Sequence, residues 1–183
     1  MKTLDYFKNL KAVFDELDYD VFDKCAKIVI SYINNNNKII CCGNGGSAST
    51  ASHYVTDWVK MAQTQNKQKL NAICLSDNTG MLTAYANDIG YDAVFSEQVK
   101  CYGESKDLLI CVSGSGNSKN LLKAVEVAKQ HNIRTMAIVG YDGGQLIKKC
   151  DYKVHIPSFD MQICEDIHLV FGHVVMKKII VSP

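Results

Sequence analysis

Arginine is nearly absent. The 183 residues hold a single one, Arg134, among 20 basic and 19 acidic side chains, for a net charge of +1. A face built to grip a nucleic-acid backbone needs clustered basic groups, so no nucleic-acid partner is expected. No apolar run reaches the roughly 20 residues of a membrane span, so no membrane partner is expected either. The first residues, "MKTLDYFKNLK", carry charge but no apolar core of the signal-peptide kind. Linkers, low-complexity tracts and internal boundaries are also missing. With 47% hydrophobic and 21% charged residues, the chain reads as one globular domain spanning 1–183.

Cysteine is plentiful, with eight at positions 25, 41, 42, 74, 101, 111, 150 and 164, but no CxxC occurs. Most lie in apolar runs. They are read as buried, reduced thiols of a cytoplasmic protein rather than as a disulfide framework. Cys41 and Cys42 are neighbours in a strand and should point to opposite faces of a sheet.

Periodicity divides the chain into alternating elements. Leu4, Phe7, Leu10, Val13 and Phe14 repeat at helical spacing, and Asp18 or Asp20 is placed to cap a second helix through Val21, Cys25, Ile28, Val29 and Tyr32. "KIICC" reads as a short strand before a helix from about Ser47. Strands are predicted at 70–75, 107–113, 134–140 and 152–157. Helices are predicted at 78–88, 91–102, after "GSGNS", up to Lys149, and over 161–181. Near-continuous apolar strands alternating with helices predict an α/β fold with a parallel sheet covered on both sides.

Two strand ends share a design. "CCGNGGS" (41–47) and "CVSGSGNS" (111–118) each lead from a buried strand through a glycine turn into a helix. Glycine lets backbone N–H groups converge, the helix start adds unpaired donors and partial positive charge, and serine hydroxyls add more. That combination suits a phosphate. Neither turn is a P-loop, since no GK[ST] follows, and neither has clean GxGxxG spacing, which speaks against a plain nucleotide-binding domain. Ser113, Ser115 and Ser118 are placed to surround a small phosphate ester, with Ser47 reaching in from the first turn. The bland alternative is a pair of tight turns with serine caps.

His53 and Asp57 are four apart on one helix face. Glu165, His168 and His173 lie near one face of the last helix. From spacing alone these groups are metal ligands, proton-transfer groups, or merely surface and half-buried side chains.

Together "GNGGSASTASH", "YANDIGYDAVFSEQV", "SGSGNSKNLLKAVEVAK" and "ICEDIHLVFGH" resemble the sugar isomerase (SIS) domain family, and within it the phosphoheptose isomerases. The resemblance covers nearly the whole chain. It implies a three-layer αβα sandwich with a five-stranded parallel sheet, N-terminal helices packing across subunits, and a homotetramer with active sites at subunit interfaces. It implies conversion of sedoheptulose 7-phosphate to D-glycero-D-manno-heptose 7-phosphate, on the way to lipopolysaccharide, capsule or other surface heptoses. By the same resemblance Ser113, Gly114, Ser115, Ser118 and Ser47 bind the phosphate, and Asn44 and Asp88 meet the sugar hydroxyls. His53, Asp57, Glu165 and His173 hold one zinc ion per site, Glu165 also touching substrate, and Asp57 and His173 carry the proton transfers. The chain departs from the family's common residues in four places, at Asp57 and Glu165 from those of its best-known branch. Gly114 stands where threonine is common, Asp57 for glutamate, Glu165 for glutamine, and Met61 for a basic residue, with Lys60 the nearest replacement. The alternatives are an isomerase for another phosphosugar, or a non-catalytic tetramer that binds the replication initiator protein.

Overall fold

The computed structural model describes residues 2–181. Two helices open the fold, α1 (Thr3–Glu16) and α2 (Tyr19–Asn34). Of the two candidate caps for α2, Asp18 serves, accepting from Val21 N at 3.0 Å. Then strands and helices alternate: β1 (Ile39–Gly43), α3 (Gly46–Asn66), β2 (Ala72–Cys74), α4 (Thr79–Asp88) and α5 (Ser96–Tyr102). The second half runs β3 (Leu108–Ser113), α6 (Lys119–Gln130), β4 (Arg134–Val139), α7 (Leu146–Lys149), β5 (Tyr152–His155) and α8 (Met161–Val181). The predicted helix 91–102 is broken. Its start is a single 3-10 turn, Tyr91–Ala93, and α5 begins only at Ser96.

All five strands are parallel, in the order β2-β1-β3-β4-β5. Side chains alternate across the sheet. Ile39 and Cys41 join one core with α2, α3 and α8, on which α1 lays Tyr6, Leu10, Val13 and Phe14. Ile40 and Cys42 join the other core with α5, α6 and α7, and α4 adds Leu82 and Tyr85. The predicted αβα sandwich and the opposite facing of the two adjacent cysteines are therefore both found. All eight cysteines are free, but Cys101 is exposed and Cys74 half-buried, against the expectation of burial. Of the predicted α1 stripe, Leu4 and Phe7 point away from this core and stay 61% exposed. No helix among the described residues is long and apolar enough to cross a membrane.

Helices α3 and α8 pack more extensively on each other than any other pair of helices. Trp58 and Tyr54 are fully buried in that seam, each worth roughly 1.5–3 kcal/mol of apolar burial. Trp58 Nε1 donates to Gly172 O at 2.9 Å, and Tyr54 donates its hydroxyl proton to His168 O. The contacts of Gly46 with Glu165, Trp58 with Gly172 and Asn66 with Ile179 advance together along both helices, so the two run in the same direction, side by side.

His168 sits in this seam with no exposed surface, and neither ring nitrogen has a hydrogen-bond partner among the described residues. Burial pushes its imidazole from 6.5 down to about 4, so the ring is held neutral. As the pH falls below about 6.5 the unfolded chain takes up this proton, while the folded chain does so only near 4. Stability is therefore lost across that window, by about 3 kcal/mol at its lower end. Replacing His168→Leu is expected to flatten this acid limb. Urea unfolding at several pH values checks it, and equal pH slopes in the two proteins would contradict it.

Candidate active site

The switch in chain direction places the site. From β1 the chain turns to one face of the sheet to form α3, and from the adjacent β3 it turns to the other face to form α6. A crevice must open between such strands at their carboxyl ends. A cavity of about 220 Å³ lies there, lined by Asn44, Ser47, Ser113, Gly114, Ser115, Ser118, Met161 and Glu165 together with Val112. Both glycine turns and the start of α8 thus meet in one place, as the sequence suggested for the first two.

The serines are arranged to donate. Ser113 Oγ accepts from Gly116 N at 3.1 Å and Ser115 Oγ accepts from Asn117 N at 3.3 Å. Their hydroxyl protons remain available for an oxyanion. Ser118 is the N-cap residue of α6 but makes no capping bond with its side chain, and Lys119 starts the helix whose positive end faces this loop. Ser47 lies in the first turn of α3 and is 6% exposed.

Two close approaches shape the cavity wall. A Cβ on Gly114 would overlap Met161 Sδ, so the thioether fills the space a larger residue would claim. A Cβ on Gly46 would overlap the Glu165 carboxylate, which therefore rests against the first turn of α3. Negative charge is favourable at such a helix start.

The second group of polar side chains stands farther along α3 and α8. His53 Nε2 lies 3.1 Å from Asp57 Oδ2 and 3.3 Å from His173 Nε2, and His173 Nε2 lies 3.8 Å from Asp57 Oδ2. Donors bound tetrahedrally to a zinc at 2.0–2.1 Å stand about 3.3 Å apart. The two imidazoles and one carboxylate therefore fit a divalent ion, with a further coordination position left open. The side chains are 44%, 24% and 45% exposed, so the cluster opens to solvent.

Of the four expected ligands, Glu165 does not join the other three. It lines the serine cavity instead. His173 is eight residues farther along the same helix, about 12 Å of axial rise, and His53 is about 9 Å beyond Ser47. Asp88 is exposed at the end of α4, accepts from Asn87 Nδ2 at 2.8 Å, and does not line the cavity. Met61 and Lys60 lie beyond Asp57 on α3, outside both groups. Met161, Asn120 and Tyr91 were not singled out from the sequence. Asn120 exchanges two amide bonds with Asn44, and Tyr91 donates to the same Asn44.

A family profile described as "SIS domain" matches residues 4–140. This chain belongs to the SIS domain family. It is 36% identical over 170 residues to a phosphoheptose isomerase from Thermodesulfovibrio yellowstonii, covering 93% of this chain and 84% of that one. It is 39% identical over 155 residues to a phosphoheptose isomerase from Helicobacter pylori strain P12, covering 85% and 80%. Among solved structures, a phosphoheptose isomerase from Neisseria gonorrhoeae superposes with a TM-score of 0.88 at 30% identity, over 96% of this chain and 95% of that one. One from Francisella tularensis gives 0.91 at 27% identity over the full length of both. The expected kinship and the expectation of an isomerase are both met.

The contact between Gly114 and Met161 is testable. Gly114→Thr is expected to cost about 1 kcal/mol, since an unbranched methionine can swing aside but loses its packing. Adding Met161→Ala should return most of that loss. Melting curves of the single and double variants check it; a Gly114→Thr protein as stable as the parent would refute the crowding.

Proposed function

We propose that the chain interconverts sedoheptulose 7-phosphate and D-glycero-D-manno-heptose 7-phosphate, a ketose and its aldose. The observation that carries the reading is the two-level layout along α3 and α8. A serine-lined cavity marks one level and the His53–Asp57–His173 cluster the other. The separation suits an open-chain sugar whose phosphate is several carbons from its carbonyl.

In this reading Ser113, Ser115, Ser118 and Ser47 hold the phosphate, with the backbone at Gly114 beside them. Asn44 and Asp88 bind sugar hydroxyls. For Asp88 this requires movement of α4 or help from a neighbouring subunit, because it does not line the cavity. The reaction moves a proton between C1 and C2 through an enediolate, which requires a base, an acid and a stabilised oxygen. Asp57 takes the proton from C1, and His173 passes protons to and from the oxygens. The short separations between Asp57 and both imidazoles support these roles. A zinc ion held by His53, Asp57 and His173 would supply polarisation of the carbonyl and hydroxyl oxygens. Glu165, near the cavity, is placed to meet the substrate and to complete the ligand set only if its side chain reaches upward.

The reading includes a homotetramer in the cytoplasm. Leu4, Phe7 and Tyr19 leave apolar surface on the N-terminal helices. Val170, Val174 and Val181 line an apolar depression beside His173, which suits a subunit contact at the site. Eight free thiols suit a reducing compartment.

Purified protein incubated with sedoheptulose 7-phosphate should form the aldose, and a chelator should slow it. Asp57→Asn and His173→Gln should each lower turnover by roughly 10²- to 10⁴-fold while melting like the parent. Unimpaired turnover in both variants, or no aldose from the parent protein, would reject the assignment.

A further inference from the structure

Asn120 is the second residue of α6 and is 2% exposed, yet it carries an amide into the gap between the two strand ends. Its Oδ1 accepts from the backbone N–H of Leu121 at 2.9 Å. A backbone nitrogen can only donate, so this bond fixes which end of the amide is oxygen. Asn120 Nδ2 is therefore a donor, and it donates to Asn44 Oδ1 at 2.9 Å. In return Asn44 Nδ2 donates to Asn120 Oδ1 at 3.0 Å. The orientation of the second amide follows from the first. Tyr91, on the 3-10 turn, must then be the donor in its 2.8 Å bond to Asn44 Oδ1.

The count of donors and acceptors has a consequence. Asn44 Oδ1 receives two protons, one for each lone pair. One of the two N–H bonds of Asn44 is spent on Asn120. A single N–H is left, on a side chain that lines the serine cavity.

We propose that Asn120 is a positioning residue which, with Tyr91, locks the Asn44 amide so that it offers the substrate an N–H donor and no acceptor. The proposal rests on the reading that the cavity takes a phosphorylated sugar. Asn44 then selects an oxygen that can accept, a hydroxyl or a carbonyl, near the phosphate. A protonated amino group at the same place, able only to donate, is refused. The three side chains come from the turn after β1, the 3-10 turn and α6, so the lock also ties the two glycine turns to each other.

A double-mutant cycle tests it in the full chain. Asn120→Ala is expected to lower kcat/KM with sedoheptulose 7-phosphate roughly ten- to hundredfold, the usual worth of a buried polar partner. In an Asn44→Ala background the same change should cost less than about twofold. Equal losses in both backgrounds would show that Asn120 acts only on the fold, and would overturn the proposal. Tyr91→Phe alters an exposed tyrosine without touching α6, so it carries the test if Asn120→Ala does not fold. Its expected loss of several-fold should also vanish with Asn44→Ala, and an undiminished loss there would count against the lock. The second readout needs no turnover. The Asn44 amide proton bonded to Asn120, followed by NMR in the free protein, should exchange with solvent slowly in the parent and at least tenfold faster in Asn120→Ala. Unchanged exchange would overturn the proposal even in an active enzyme. A parent protein inactive on every phosphosugar would instead remove the functional reading, and the NMR comparison would still decide on the lock.

Discussion

Two neighbouring strands that send their chains to opposite faces of one sheet leave a gap that no connection can cover. Here those strands are β1 and β3, at the centre of the sheet, and everything polar gathers where they end. The gap exists because α3 must cover one face and α6 the other. Their amino-terminal ends then approach from both sides, each with backbone donors that the helices cannot use. Glycine and serine at both turns keep those donors reachable. A cluster of unused backbone donors is in this sense a by-product of covering a parallel sheet.

The second requirement is the seam between α3 and α8. Because the helices are parallel, contacts follow one another along them, Gly46 with Glu165, then Tyr54 with His168 and Trp58 with Gly172, while His53 meets His173. Apolar burial of Trp58 and Tyr54 holds the register, and polar groups at the other levels inherit it. The serine cavity and the His53–Asp57–His173 cluster are thereby set apart along one helix pair. Glu165 lines the serine cavity, while His53, Asp57 and His173 gather farther along the helix pair.

Much of this was legible from the chain. Apolar runs such as "DLLICVS" are buried on both sides and read plainly as central strands. Both phosphate-type turns announced themselves through glycine and serine after such runs. Spacing of His53 and Asp57 correctly put them on one face of α3. Other features depend on partners distant in sequence. Leu4 and Phe7 share the period of Leu10 and Val13, yet only part of that stripe finds a surface in this fold. The end of β2 is set by how little of it β1 can pair, with Ala72, Ile73 and Cys74 in register. Asn120 reads as an ordinary first-turn residue until Asn44 is seen opposite. The break of the helix predicted from Tyr91 into a 3-10 turn and a separate α5 is likewise invisible in the periodicity, with only Gly90, at a φ of 123°, marking where the chain enters.

The pairing of His53 with His173 joins residues 120 positions apart. During synthesis both glycine turns leave the ribosome well before α8 does. A nascent chain can therefore hold both turns and still lack Met161 and Glu165 of the cavity wall and His173 of the second cluster. Both polar groups are thus completed only by the docking of one helix, the last element of the chain to be made.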